Sequence, residues 1–226
     1  MNQSSVADRP SMSGRAEPAI AFLTVLTPKP GMFEELLELQ LAHYRRITGI
    51  VRGITGIRVY RALDDTNIVS LSSFETIDDH ARSSESSLFI EPINDLGALI
   101  ERANSGYYQL QYAAGNVETT SVKPDPGSVI WLNIVTTKSG KLDEFLRIQV
   151  AEQAVSRGSV AGVRGNRIYR SLDESKALML ASFDTPNDHK RWIQSDGFAE
   201  HVHKLLPLIE RGDRGYYKTV YEFDEI

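Results

Sequence analysis

The sequence predicts an α+β protein built from two copies of one domain, and three observations carry that prediction. Sliding the 226-residue chain along itself by 109 positions brings Gly31 onto Gly140, Gln40 onto Gln149 and the run Arg58-Val59-Tyr60-Arg61 onto Arg167-Ile168-Tyr169-Arg170. The same shift aligns Leu63-Asp64 with Leu172-Asp173, Asp79-His80 with Asp188-His189 and Gly106-Tyr107-Tyr108 with Gly215-Tyr216-Tyr217. About 33 of 82 positions between Gly31 and Tyr112 are identical, without a gap; a sustained period of this kind marks repeated structural units. Each copy, at roughly 100 residues, has the length of a domain with its own core. Finally, strand-like and helix-like periodicities follow one another in the same order in both copies.

Pro18 to Thr27 is apolar and partly β-branched, a strand pattern ended by Pro28, Pro30 and Gly31. Met32 to Ile47 places Phe33, Leu36, Leu37, Leu39, Gln40 and His43 near a helical period. After a loop containing Gly49, Gly53 and Gly56, Ile57–Ala62 and Asn67–Phe74 form two strands. The turn-rich Leu63–Thr66 between them predicts a hairpin. Thr76 followed three residues later by Asp79 predicts an N-capped helix. Ser83 to Ser87 interrupts it, Pro92 to Arg102 resumes it, and Gly106–Ala113 is the last strand. The second copy repeats the series over 128–136, 141–155, 166–171, 176–183, 185–211 and 215–223.

The order β-α-β-β-α-β is the ferredoxin-like arrangement, expected over residues 18–115 and again over 128–226. Residues 116–127 (NVETTSVKPDPG) read as a linker. Residues 1–17, polar and without an apolar stretch, read as a disordered tail and not a signal peptide. Two helices cover one face of a four-stranded sheet. The other face, rich in Val, Leu, Ile and Tyr, requires burial, and the second copy offers a matching face. The expected architecture is an intramolecular, pseudo-dimeric α+β barrel, its copies related as the subunits of a homodimer would be.

Composition narrows the function. The formal net charge is −5 and the basic residues form no block, which argues against a nucleic-acid partner. The absence of cysteine excludes disulfides and thiolate metal sites. No apolar run is long enough to span a bilayer, so no membrane partner is expected and the cytoplasm is the default location. There is neither a Gly-x-Gly-x-x-Gly fingerprint nor a P-loop.

The candidate site residues lie mainly in the second copy. Asn133 interrupts the apolar strand Val129–Val135; on the face of Trp131 and Val135 it would be a buried amide in need of partners. His201 and His203 replace Pro92 and Asn94 of the first copy. A His-x-His on a helix points its rings about 200° apart, so one ring can face a pocket and the pair makes a poor metal site. His189 recurs as His80, which favours a helix-face histidine bonded to a strand, with acid–base chemistry as the alternative. Trp131, Trp192 and Phe198 can hold a flat aromatic ligand or simply pack the core. Tyr169, Phe183 and Tyr216 are further lining candidates, and Arg167 a candidate anion partner. His43 and Tyr44 stand where the second copy has Glu152 and Gln153, the best sign of a polar site in the first.

Taken together, the Gly at the start of helix 1, the Gly-x-x-Gly-x-Arg-x-Tyr-Arg-x-Leu-Asp strand, the hairpin ending in an aromatic, the Asp-His segment and the downstream Ser-x-x-Phe resemble the dimeric α+β barrel proteins. Within them the likeness is to the antibiotic-biosynthesis monooxygenase group. It covers Ala19 to Tyr112 and Val129 to Glu222. Asn133 sits where some members carry a strand-1 Asn, Thr24 being its first-copy equivalent. Phe183 and Phe74 stand in place of a strand-3 Trp, and Trp192 and Ser83 near the place of a His, so the haem-type triad is incomplete.

The resemblance implies a monooxygenase for a polycyclic aromatic, polyketide-like substrate, in which the substrate anion itself reduces dioxygen. Catalytic roles then fall to Asn133, His203, His201 and His189, with substrate held by Trp131, Tyr169, Phe183, Trp192, Phe198, Tyr216 and Arg167. No metal or organic cofactor is expected, reduced flavin being the alternative electron source. The expected partners are the aromatic substrate and dioxygen, and a homodimer of the two-repeat chain is compatible with the pattern. The other readings are a polyketide cyclase using the same pocket and a non-catalytic ligand-binding or stress-response barrel.

Overall fold

The computed structural model describes residues 20–115, 128–156 and 160–225. The expected tail and linker lie outside them. The first copy comprises β1 (Ile20–Pro28), α1 (Phe33–Ile47), β2 (Ile54–Ala62), β3 (Ile68–Phe74), α2 (Ile77–Ser84), α3 (Ser87–Leu99) and β4 (Ile100–Gly115). The second comprises β5 (Val129–Thr137), α4 (Leu142–Ser156), β6 (Val163–Ser171), β7 (Lys176–Phe183), α5 (Pro186–Ile193), α6 (Asp196–Leu205), a 3-10 turn at Leu206–Leu208 and β8 (Ile209–Asp224).

The helix starts follow the predicted chemistry. Thr76 and Thr185 accept from the backbone N–H of Asp79 and Asp188, and each threonine hydroxyl donates to the same aspartate's carboxylate at 2.6 Å. Each aspartate packs against a glycine held at positive φ in the preceding loop. A Cβ on Gly162 would meet the Asp188 side chain at 2.5 Å, so both the conformation and the contact require glycine there.

The eight strands close into one barrel in the order β1-β3-β2-β8-β5-β7-β6-β4. The two open sheet faces do line a common interior: Leu23, Tyr60, Leu71 and Tyr108 meet Leu132, Tyr169, Leu180 and Tyr217 in one buried cluster. The sheets are also joined edge to edge, which the sequence did not reveal. Both last strands are 16 residues long, beginning earlier than expected. The first half of β4 pairs with β1 and its second half with β6; the first half of β8 pairs with β5 and its second half with β2. The early halves, Glu101–Ser105 and Glu210–Arg214, are polar and exposed, so they lack the alternation by which strands are read.

An ion pair braces the join between β2 and β8. Arg58 on β2 donates to the Asp224 carboxylate at 2.8 and 2.9 Å and to the Phe223 carbonyl at 2.7 Å. Arg61 bridges Glu34 and Asp65, and Arg170 bridges Asp143 and Glu174. The Arg61 and Arg170 pairs lie within one copy each, between the hairpin and the start of that copy's first helix.

The outer barrel face packs against the helices. In the first copy, Leu36, Tyr44, Ile47, Val59, Ile68 and Phe74 form a continuous buried layer. In the second, the corresponding layer divides into two clusters, one around Phe145, Ile168 and Met179 and one around Val129, Ala181 and Phe183. The candidate site lies where that layer divides.

Candidate functional site

A cavity of about 340 Å³ opens between the second-copy helices and sheet. That volume falls in the range of small-molecule sites. Trp131, Trp192 and Phe198 form aromatic walls, and Phe145, Met179 and Leu205 contribute aliphatic and aromatic surface. The aromatic wall is tied together by contact: the Trp192 and Phe198 rings meet edge to face at 4.6 Å.

Alternation along β5 puts Ile130, Leu132 and Ile134 inside the barrel and Trp131, Asn133 and Val135 toward the cavity. Asn133 thus occupies the predicted face. Its Oδ1 is buried without a hydrogen-bond partner, and its amide forms no hydrogen bond among the described residues. A buried polar group left in this state points to a missing partner. Gly212 lies beside it on β8, where a Cβ would come within 3.5 Å of the Asn133 oxygen. The first copy has Thr24, which accepts from Ser105 at 3.3 Å, and Ala103 in place of the glycine.

The helical side is polar as well. His201 and Gln149 are both buried, and the His201 Nε2–H donates to Gln149 Oε1 at 3.2 Å. That bond leaves His201 Nδ1 as an unpartnered lone pair, 3.8 Å from a Glu152 carboxylate oxygen. Burial lowers the His201 pKa, Lys204 lowers it further, and Glu152 opposes both, so the ring is neutral at pH 7. Asn166 donates to Gln153 at 2.6 Å on the same wall. Arg214, next to Asn133 in register, and Arg167, which donates to the Gly115 and Asn166 carbonyls, complete the polar rim.

Of the expected residues, the structure brings Asn133, His201, Trp131, Trp192, Phe198 and Arg167 together around the cavity. His203 projects from the opposite side of α6 and is exposed, as the His-x-His geometry requires for one of the pair. Tyr169 points into the barrel interior, because its strand position is one removed from the cavity-facing Ile168. Phe183, Tyr216 and His189 form a packed layer beside Trp131 and Trp192 and do not line the cavity. His189 Nδ1 hydrogen-bonds the Tyr216 hydroxyl at 2.7 Å, and its buried Nε2 has no partner. Burial chiefly, helped by the Arg214 charge, pushes its pKa down to about 4. His80 repeats this role with Tyr107 at 2.7 Å, stacked on Phe22 at 4.2 Å.

Gln149, Gln153 and Asn166 were missed in the sequence. The first-copy counterparts of Gln149, Gln153, Met179 and Ala181 are Gln40, Tyr44, Ser70 and Ser72. Tyr44 is buried, and its hydroxyl faces Ser70, Gln40 and Ser72. Burial raises its pKa while their hydrogen bonds pull it down. A tyrosine ring therefore fills, in the first copy, the space left open in the second, and Tyr221 stacks over it at 6.3 Å. His43 lies alongside, edge-on to Phe89 at 5.3 Å, with its pKa lowered by burial and by Arg46.

Among the described residues no group of three or more His, Asp or Glu side chains could hold a metal ion. Nor is any helix there long and apolar enough to cross a membrane.

Fold and site define a class: an α+β barrel of two ferredoxin-like repeats, closed within one chain and carrying a cavity between helices and sheet. The comparisons agree. Residues 128–204, which supply much of the cavity wall, match the family model described as antibiotic biosynthesis monooxygenase. An anthrone oxidase-like protein superposes with a TM-score of 0.78 at 12% identity, over 92% of this chain and 94% of that one. A protein described as a monooxygenase from Fusobacterium nucleatum gives 0.71 at 9% identity, over 92% and 95%. Another from Lactobacillus acidophilus gives 0.65 at 10%, over 92% and 97%. At these identities the likeness is one of fold. No curated protein matches the chain.

Proposed function

We propose that this protein is a monooxygenase that oxidises a polycyclic, polyketide-like phenol in the second-copy cavity, with the substrate anion as the reductant of dioxygen. The observation that carries the reading is the unpartnered Asn133 amide on the wall of a cavity bounded by Trp131, Trp192 and Phe198. The aromatic walls hold a flat ring system and exclude water, which strengthens every polar contact inside. Asn133 stabilises the oxygen on which negative charge develops. Neutral His201, on the cavity wall, takes up the proton released when the substrate ionises. The anion then transfers an electron to dioxygen and the two radicals combine. The peroxide loses water, leaving one oxygen atom as a new carbonyl and the other in water.

The domain match over residues 128–204 supports this class of chemistry, and the anthrone oxidase-like fold neighbour makes anthrones the first substrates to try. Oxygen uptake with a panel of anthrone-like phenols is the test. Stoichiometric uptake in purified protein without added metal or flavin is expected. Turnover that requires reduced flavin would replace the cofactor-free scheme, and ring closure without oxygen consumption would make the protein a cyclase.

A further inference from the structure

Resting on the reading of the second-copy cavity as a site for phenols, we propose that Gln149 is the residue that donates a hydrogen bond to the phenolic oxygen of the ligand, held in position for this by His201. The first copy already contains a phenol in the equivalent place. Tyr44 reaches from α1 to Gln40, Ser70 and Ser72, and the counterparts of these four residues, Gln153, Gln149, Met179 and Ala181, all line the second-copy cavity. The Tyr44 ring thus marks where an aromatic ring fits between helix and sheet, and its hydroxyl marks where the oxygen of that ring falls.

Of the three groups around the Tyr44 hydroxyl, the second copy retains one. Ser70 and Ser72 become Met179 and Ala181, which offer no hydroxyl, while Gln40 is retained as Gln149. The two glutamines are restrained differently. Gln40 Nε2 makes a long contact to Ser70 at 3.5 Å and leaves its Oε1 buried without a partner. Gln149 Oε1 is taken by the His201 Nε2–H at 3.2 Å. Pro92 stands in the first copy where the second has His201, so this restraint exists only beside the open cavity. With its oxygen turned toward His201, the Gln149 amide presents its N–H donors to a ligand. Its amide nitrogen has no hydrogen-bond partner among the described residues, and the residue is buried, with 6% of its surface exposed. A preoriented donor in a dry site favours a phenolate over the neutral phenol and disfavours an ether.

Binding of 4-nitrophenol and 4-nitroanisole to the full chain tests this, since the ionised nitrophenol is read directly by its absorbance. Wild type should prefer 4-nitrophenol about 10- to 100-fold, as expected for a hydrogen bond to a charged group, and should bind it as the phenolate at a lower pH than in free solution. Gln149→Leu should reduce the preference to within about threefold, with the phenol's titration moved back up. Gln149→Met is the second variant should the first fail to fold. His201→Phe should lose most of the preference, whereas His201→Asn, which retains a donor for Gln149, should keep more of it. Wild-type preference in both Gln149 variants overturns the assignment. Equal binding of both probes by wild type overturns it as well but leaves the cavity reading standing. If neither probe binds, the cavity reading itself falls.

Discussion

The two halves share about two-fifths of their aligned residues and one fold, yet one is filled and the other hollow. Tyr44 in the first copy is Gln153 in the second, Ser83 is Trp192 and Pro92 is His201. The first substitution empties a space the size of an aromatic ring, and the other two furnish its wall. The paired histidine–tyrosine clusters, His80 with Tyr107 and His189 with Tyr216, are the same in both halves, down to a 2.7 Å bond in each. What is duplicated holds the helix to the sheet; what differs shapes a site.

The sharpest way to break this comparison is to make the halves alike. Gln153→Tyr should place in the second copy the ring that fills the first, abolishing ligand binding and turnover while the far-UV circular dichroism stays native. A variant that still binds substrate would show that the ligand lies elsewhere. Next in size is Asn133→Ala, expected to lower kcat on the order of 10²-fold, the usual loss for one oxyanion donor. Thr24→Ala should change it less than about twofold. The reverse pattern would move the chemistry to the first copy, where His43→Ala would then be the informative variant.

Acid stability sharpens the comparison of the histidine clusters. The His189 pKa falls from 6.5 unfolded to about 4 folded. Between these values the unfolded chain binds a proton that the native state does not, so stability is full above pH 6.5 and is lost as pH falls toward 4. The difference corresponds to roughly 3 kcal/mol at most. Urea unfolding at pH 7.5 and 5.0 should show this loss in wild type and a flatter dependence in His189→Gln, with His80→Gln flattening it less. Equal slopes in all three proteins would contradict the assignment of His189 as a buried neutral ring. The smallest effect is expected for Tyr216→Phe, which removes one hydrogen bond and should cost about 1 kcal/mol, measurable as a lower urea midpoint. Tyr107→Phe should match it within error if the clusters are equivalent.

Much of this site could be read from strand and helix periodicity. Alternation along Val129–Val135 was enough to put Asn133 on the face of Trp131, and the angle between i and i+2 on a helix was enough to send only one of His201 and His203 inward. The same alternation, applied to β6, would have placed Tyr169 inside the barrel, but a strand pattern does not show which of two buried faces borders a cavity. Gln149 was visible only as a mark of the repeat, since its partner Gln40 made it look structural. The available signal was the change of Tyr44 to Gln153 beside it, a large ring traded for a smaller side chain one helical turn away. The edge-to-edge closure was illegible because Glu101–Ser105 and Glu210–Arg214 are polar, and strand pairing between distant segments leaves no local pattern.

That closure also sets the order in which the molecule can be assembled. One edge of β2, from Gly56 to Ala62, pairs with β3, and the other finds its neighbour in Tyr217 to Asp224 of β8. Closing so long a loop is slow relative to local pairing. During synthesis the first copy therefore waits, with one side of β2 an unprotected edge and its helix layer missing Tyr221 and Phe223, until β8 leaves the ribosome. An exposed edge of that kind invites pairing with another chain. Deleting residues 217–224 would thus be felt first in the first copy, as aggregation of a repeat whose own sequence is intact.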